Sequence, residues 1–389
     1  MRQIPYGRQE VSLADIEAVN DVLKSDFLTQ GCITPKFEEA IASFCGAKYG
    51  IATSNATSAL HLACLALEVG PGDIVWTSPN SFVASANCAL YCGATVDFVD
   101  IDPITYNMSV LALHQKLLEA KNNNKLPKVV MPVHFAGQTC EMSQIALLAK
   151  EFGFRIIEDA SHALGGRYQE AAVGSSAYSD ITVFSFHPVK MITTGEGGMA
   201  LTNQPDLAQT MKLLRSHGIM QSDPDHSFSN PNEIWNYRQT NLGYNFRMTE
   251  IQAALGLSQS LQLEKFVAQR NAIARKYDQA FVGLPVETPI VLPNIQSSFH
   301  LYVLRINRAD CGKNRNDVYR HLRSHGIQVN LHYIPIYLQP FYENLGFKRG
   351  HCEQAEVYFE EALTLPIFSS LDEESQDFVI KKLKEFILL

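Results

Sequence analysis

The chain has 389 residues, 46% of them apolar and 19% charged, which suits a soluble globular protein with one large domain and a smaller one. No apolar run approaches the roughly 20 residues of a membrane helix, and the N-terminal stretch MRQIPYGRQEVSLADIEAV has charges and a helix start where a signal peptide would be apolar. A cytoplasmic protein with no membrane contact is expected, and a net charge of −8 without any basic stripe argues against nucleic acid while leaving room for a small anionic ligand. The eight cysteines form no CxxC pair and no zinc-type spacing with histidine, so neither a metal nor a disulfide framework is expected. Cys88 and Cys92, four apart, read as two buried thiols on one helix face.

In chain order, a strand-like entry at residue 50 leads into a helix over 58–67, then a β-branched run at 74–77 and a helix over 82–91. Runs at 95–99 and 129–133, a helix over 143–151, and runs at 155–157 and 181–186 follow. Strands alternating with helices imply βαβ units and an α/β fold with a mainly parallel sheet, whose ligands sit beyond the C-terminal strand ends. The polar stretch 217–237 reads as a long surface loop and 249–275 as a helix. A smaller α+β unit comes next, with a strand over 300–306, a helix over 316–325 and a second strand at 326–333. Val379, Leu383, Phe386 and Ile387 give the last helix one core-facing side. The division is placed at 1–250 and 251–389.

Four segments carry chemistry. GIATSNATSALHLACLAL at 50–67 puts Ser54, Asn55, Ala56, Thr57 and Ser58 at a helix start, either a phosphate cradle or an ordinary cap. In SPNSFVASANCALYCGA at 78–94, Phe82 follows a strand end and suits either a flat ring or the core. RIIEDASHALGG at 155–166 ends a strand on Asp159, which could keep a pyridine nitrogen protonated or cap the next turn. His162 in that turn either touches a bound ring or is a satisfied turn histidine. FSFHPVKMITTGEGGMALTN at 184–203 presents Lys190 from a turn after a strand, where an unprotonated amine could form a Schiff base; most lysines instead sit on solvated faces. Together the segments outline a three-part site of amine, carboxylate and phosphate cradle.

SNATSALHLACLAL, SFVASANCALY, EDASHALGG, FSFHPVKMITTGEGG and YNFRMTEIQAALGLSQ resemble, in order and over almost the whole chain, the DegT-type sugar-nucleotide aminotransferases. The resemblance implies fold-type I architecture with a mainly parallel seven-stranded sheet, and pyridoxal 5′-phosphate as cofactor. It implies that Lys190 carries the cofactor and Asp159 pairs with its ring nitrogen. Phe82 and His162 would contact the ring, and Ala56, Thr57, Ser58 and Ser185 would hold the cofactor and its phosphate. Asn245 would reach the phosphate across a homodimer interface, so each site would draw on two subunits. A related dehydratase branch has histidine at the lysine position, so Lys190 speaks for amino transfer. IPYGRQ, SDFLTQG and VNLHYIPIYLQPFY resemble a branch that aminates a UDP-linked 2-acetamido-2,6-dideoxy-4-hexulose with L-glutamate as donor. On that likeness residues 1–30 contribute to the substrate site. Tyr6, Asp26, Phe27, Leu28, Thr29, Ala56, Ser185, Asn245, Asn330, Leu331, His332 and Tyr333 would line the nucleotide-sugar pocket. Other keto-sugar nucleotides, or binding without catalysis, are the competing readings.

Overall fold

The computed structural model describes residues 3–221, 237–307, 309 and 312–388. Its centre is a sheet of seven strands: β1 (Tyr49–Thr53), β2 (Ile74–Thr77), β3 (Thr95–Phe98), β4 (Val129–Met131), β5 (Arg155–Asp159), β6 (Ile181–Ser185) and β7 (Gly198–Thr202). They lie in the order β1-β7-β6-β5-β4-β2-β3. β3, β2, β4, β5 and β6 run parallel, and β7 is antiparallel to both β6 and β1. Every residue of β6 and β7 is buried, as expected where helices cover both faces and no polar alternation is needed. Helix α3 (Ala56–Ala66) is the extreme case. Ser58 to Cys64 are all buried, because the sheet, α4 (Ala84–Tyr91) and α7 (Pro205–Arg215) surround it.

The five β-branched runs of the sequence all fall on β2 to β6, within two residues at their ends. β7 was not expected, because it opens on Gly198 directly after Gly197. A Cβ on Gly198 would stand 2.5 Å from the Ala56 nitrogen, so glycine is what lets this strand pass the start of α3. The helix expected over 249–275 is two: α8 (Glu250–Ser260), started by a Thr249–Gln252 capping box, and α9 (Leu263–Phe281). The polar stretch 217–237 falls mostly on 222–236, outside the described residues; Ile219–Gln221 and Tyr237–Gln239 on either side pair antiparallel.

Toward the C-terminus β8 (Tyr302–Arg305) pairs antiparallel with β9 (Ala362–Leu365). The stretch 326–333 is therefore not the second strand. It makes only isolated bridges, Ile4 to Ile327 and Asn330 to Thr364, and contains a cis His332–Tyr333 peptide. Ile4, Ile273, Tyr277, Tyr302, Leu304, Leu322, Ile327 and Leu363 form a core with the last helix, α10 (Glu373–Ile387). That helix buries Val379, Leu383 and Ile387 and leaves Phe386 at the margin.

No described helix is long and apolar enough to cross a membrane. The seven described cysteines are free thiols, and Cys92, expected to be buried with Cys88, is only partly so because it caps the surface end of α4. Among the described residues no group of three or more His, Cys, Asp or Glu could hold a metal ion.

Candidate active site

A cleft of about 1160 Å³ opens at the C-terminal end of the parallel strands. Five strands deliver side chains to it: β1 leads to Asn55, Ala56, Thr57 and Ser58, β2 to Ser81 and Phe82, β4 to Val133, β5 to Asp159 and His162, and β6 to Ser185 and Lys190. The opposite wall comes from Tyr6, Asn330, Leu331, His332 and Tyr333.

At the start of α3 the Asn55 side chain accepts the Ser58 N–H at 2.8 Å. The first N–H groups of the turn lack partners within the helix, so it is both capped and open to an anion. Asp159 caps the turn, the second reading of its motif, and also faces the cleft. One oxygen accepts the Ser161 N–H at 3.1 Å, closing the turn, and the other accepts the Ser85 hydroxyl at 2.6 Å within the cleft wall. Behind it His134 and Glu158 pair at 2.6 Å in full burial, and the His134 N–H donates to the Asp159 carbonyl at 3.0 Å. Phe82 is 60% exposed, so it belongs to the cleft and not the core.

His162 is committed on both nitrogens. Nδ1 accepts the Ala136 N–H at 3.3 Å, so Nε2 carries the proton toward the Tyr333 hydroxyl at 3.2 Å. The ring face is what remains for a ligand. Tyr333 then keeps its own O–H free to donate. Lys190 comes from a turn closed by its N–H to the His187 carbonyl at 2.9 Å, and its Nζ lies 3.3 Å from His300 Nε2. Burial brings this amine down to about 7, the Arg270 guanidinium adds to the fall, and Asp159 opposes it. Burial first, and then Lys190, holds His162 and His300 well below the usual imidazole range and His332 down to about 3. The cleft thus contains a base-ready amine, a buried carboxylate and the neutral imidazoles of His162 and His332, with neutral His300 against the amine.

Of the residues expected from the sequence, Tyr6, Ala56, Thr57, Ser58, Phe82, Asp159, His162, Ser185, Lys190, Asn330, Leu331, His332 and Tyr333 line one cleft. Asp26, Phe27, Leu28 and Thr29 do not; they are exposed, and Thr29 bridges to Thr249. Asn245 is exposed and outside the lining, although Tyr244 and Phe246 on either side of it are in the lining. Sequence reasoning passed over Ser85, His300, Arg270, and the His61, Tyr244 and Phe246 ring cluster. Only Ser85 left a local trace, four residues after Ser81, to whose hydroxyl it bonds at 2.7 Å. The residues fit pyridoxal phosphate: a desolvated amine, a buried carboxylate for a ring nitrogen, and a helix start with hydroxyls for a phosphate.

A mainly parallel seven-stranded sheet with one reversed strand, bearing this lysine and aspartate on successive strand ends, defines the fold-type I class of pyridoxal-phosphate transferases. The chain belongs to the DegT/DnrJ/EryC1/StrS aminotransferase family, matched over residues 10–384, and is a sugar aminotransferase. It is 36% identical over 378 residues to the UDP-4-amino-4,6-dideoxy-N-acetyl-beta-L-altrosamine transaminase of Campylobacter jejuni, covering 97% of this chain and 95% of that one. Helicobacter pylori PseC, an aminotransferase involved in the biosynthesis of pseudoaminic acid, superposes with a TM-score of 0.90 at 32% identity over 100% of both chains. The putative sugar aminotransferase Spr1654 of Streptococcus pneumoniae in its PLP form gives 0.88 at 30% identity, over 100% of this chain and 99% of that one. The family and the PLP-form neighbour imply pyridoxal phosphate as cofactor.

Proposed function

We propose that this protein moves the amino group of L-glutamate to C4 of a UDP-linked 2-acetamido-2,6-dideoxy-4-hexulose, giving UDP-4-amino-4,6-dideoxy-N-acetyl-β-L-altrosamine. In this reading Lys190 carries pyridoxal phosphate. The observation that carries the chemistry is the Lys190 amine, brought to about 7 by burial within a cleft that also holds Asp159. The substrate rests on the branch likeness at the two chain ends, both of which reach the cleft through Tyr6 and Asn330–Tyr333, and on the activity of the Campylobacter relative.

When bound, pyridoxal phosphate supplies the carbonyl that takes up the amino group and a ring that withdraws the α-carbon's electron pair. Lys190 Nζ is the base that lifts the proton from the amino acid's α-carbon and the acid that returns one, a role suited to an amine near neutrality. Asp159, held by Ser85 and Ser161, would keep the ring nitrogen protonated. The first turn of α3 with Thr57, Ser58 and Ser185 would take the phosphate, and Phe82 with the face of His162 would enclose the ring. Tyr6 and His332, whose rings lie 5.3 Å apart, offer flat surfaces to a sugar or base, and Tyr333 offers a hydroxyl donor. Asn245 would complete the phosphate site of a second subunit in a homodimer.

The test uses the purified full-length protein. Borohydride reduction followed by peptide mapping is expected to leave a pyridoxyl label on Lys190. The pyridoxamine-loaded protein is then offered UDP-, dTDP- and GDP-linked keto-sugars, and the UDP-hexulose should restore near-visible absorbance fastest. A colourless protein that takes up no added pyridoxal phosphate would overturn the cofactor reading and favour a sugar-nucleotide binder. Faster turnover of a dTDP- or GDP-sugar would overturn the substrate.

A further inference from the structure

His300 lies 110 residues from Lys190 in the chain, in no motif, yet its Nε2 stands 3.3 Å from Lys190 Nζ. The ring is 3% exposed, and its centroid is 4.3 Å from that of His162. Its Nδ1 is buried without a partner. Burying an unsatisfied ring nitrogen costs free energy, so a histidine here, where an apolar ring would fill the same space, calls for a compensating role.

The segment bearing His300 is fixed on two sides. Ser298 N–H donates to the Gly137 carbonyl at 3.1 Å and Leu301 N–H to the Ala136 carbonyl at 3.2 Å. Asn271 donates to the Ser297 carbonyl at 3.0 Å. Arg270, fully buried on α9, donates to the carbonyls of Phe299, His300 and Ile367 at 3.3, 3.3 and 3.0 Å. Its other terminal nitrogen reaches the Val189 carbonyl at 3.4 Å. One guanidinium therefore ties the backbone of His300 to the backbone next to Lys190, so the two side chains approach each other from anchored stems.

We propose that His300 is a positioning residue for Lys190, holding Nζ at one point through both protonation states of the amine. A neutral imidazole has one acceptor and one donor, and exchanging tautomers lets Nε2 accept from an ammonium or donate to a free amine. His300 stays neutral while it does so, because burial first, and then Lys190, with His162, Arg270 and His332 also facing it, disfavours its charged form; Asp159 is the carboxylate on the Lys190 side. An amine that must take a proton and give it back is thereby kept on line in each half of its cycle. The proposal rests on the reading of Lys190 as the proton-transfer group.

Two amides separate this role from simple packing. In His300→Gln the amide reaches the Nε2 position and can turn either its oxygen or its nitrogen to Nζ, whereas in His300→Asn it is one methylene too short. His300→Phe keeps the ring volume without a polar edge and covers the case in which Asn leaves a cavity. Reagent labelling of Lys190 in the cofactor-stripped full-length protein, followed by peptide mapping against pH, reports the amine directly; kcat and KM are measured on the loaded protein. The expected result for Asn and Phe is a labelling midpoint lower by roughly half to one pH unit, the margin by which a hydrogen bond to the ammonium exceeds one to the free amine. They should also lose roughly tenfold or more in kcat, with KM little changed. Gln should recover most of both. If Asn and Phe keep the wild-type midpoint and kcat, or if Gln is as impaired as they are, the proposal is overturned. Absence of a trapped pyridoxyl group on Lys190 in the unaltered protein would instead overturn the parent reading.

Discussion

Lys190 keeps some accessible surface as a residue, yet its amine sits where a charge is poorly solvated, and that has a cost the folded protein bears. The ordinary lysine value of 10.5 applies to the unfolded chain and about 7 to the folded one. Below about 7 both states hold the proton and the buried charge is fully opposed; as pH rises from 7 toward 10.5 the folded amine is already neutral and the opposition fades. Replacing Lys190 with Met removes the group at every pH. The cofactor-free Lys190→Met protein should therefore melt higher than the unaltered protein at pH 6 to 7, with the gap narrowing by pH 10. A gap that is constant across this range would mean that the amine is not desolvated in the cofactor-free fold. This lysine, Asp159 and the Ser54 to Ser58 turn were legible in the sequence because each lies in a short motif directly after a strand. His300 and Arg270 were not, since the contacts that give them meaning join residues 110 and 81 apart. No local pattern records such a pairing.

Among elements, the parallel strands were legible from their β-branched runs, while β7 and the true partner of β8 were not. β7 begins on Gly198 directly after Gly197, a composition that signals a turn, and β9 sits directly after the helix Glu353–Glu361 as the four residues ALTL. In both, pairing and close packing override weak local preference. The start of α2 (Ile33–Cys45) shows the same limit. Its N-cap, Cys32, offers no side-chain acceptor. The need is met by Glu250 from the first turn of α8, which accepts the N–H groups of Ile33 at 2.6 Å and Thr34 at 3.2 Å while being 1% exposed. Gly31 makes room for it, since a Cβ there would lie 2.8 Å from the carboxylate. A carboxylate at a helix start meets both the orphan donors and the dipole. Glu250→Ala leaves buried N–H groups unpaired and should cost about 2 kcal/mol, read from urea unfolding. Glu250→Gln, which keeps one acceptor, should cost less. Equal losses from both would place the effect in the charge and not in the cap.

Over the whole molecule, the described protomer assembles amine, carboxylate and helix start in one cleft but leaves Asn245 outside it. The chain between Tyr244 and Phe246 passes along the rim, with those two rings stacked 4.8 Å apart facing inward and the asparagine exposed. That arrangement suits a residue that serves a neighbouring subunit, because alternate side chains along an extended segment point to opposite sides. The proposed homodimer then has a consequence no single-site substitution can show. Lys190→Ala and Asn245→Ala subunits should each be nearly inactive alone. If Asn245 acts in trans, a mixed dimer has one site with both defects and one with neither. Random reassortment of equal amounts makes half the dimers mixed, so about a quarter of unaltered specific activity should return. If Asn245 acts in cis, both sites of the mixed dimer carry a defect and no activity returns. Refolding the two variants together, beside each refolded alone, distinguishes the cases, and an absence of regained activity would return Asn245 to the surface of its own subunit.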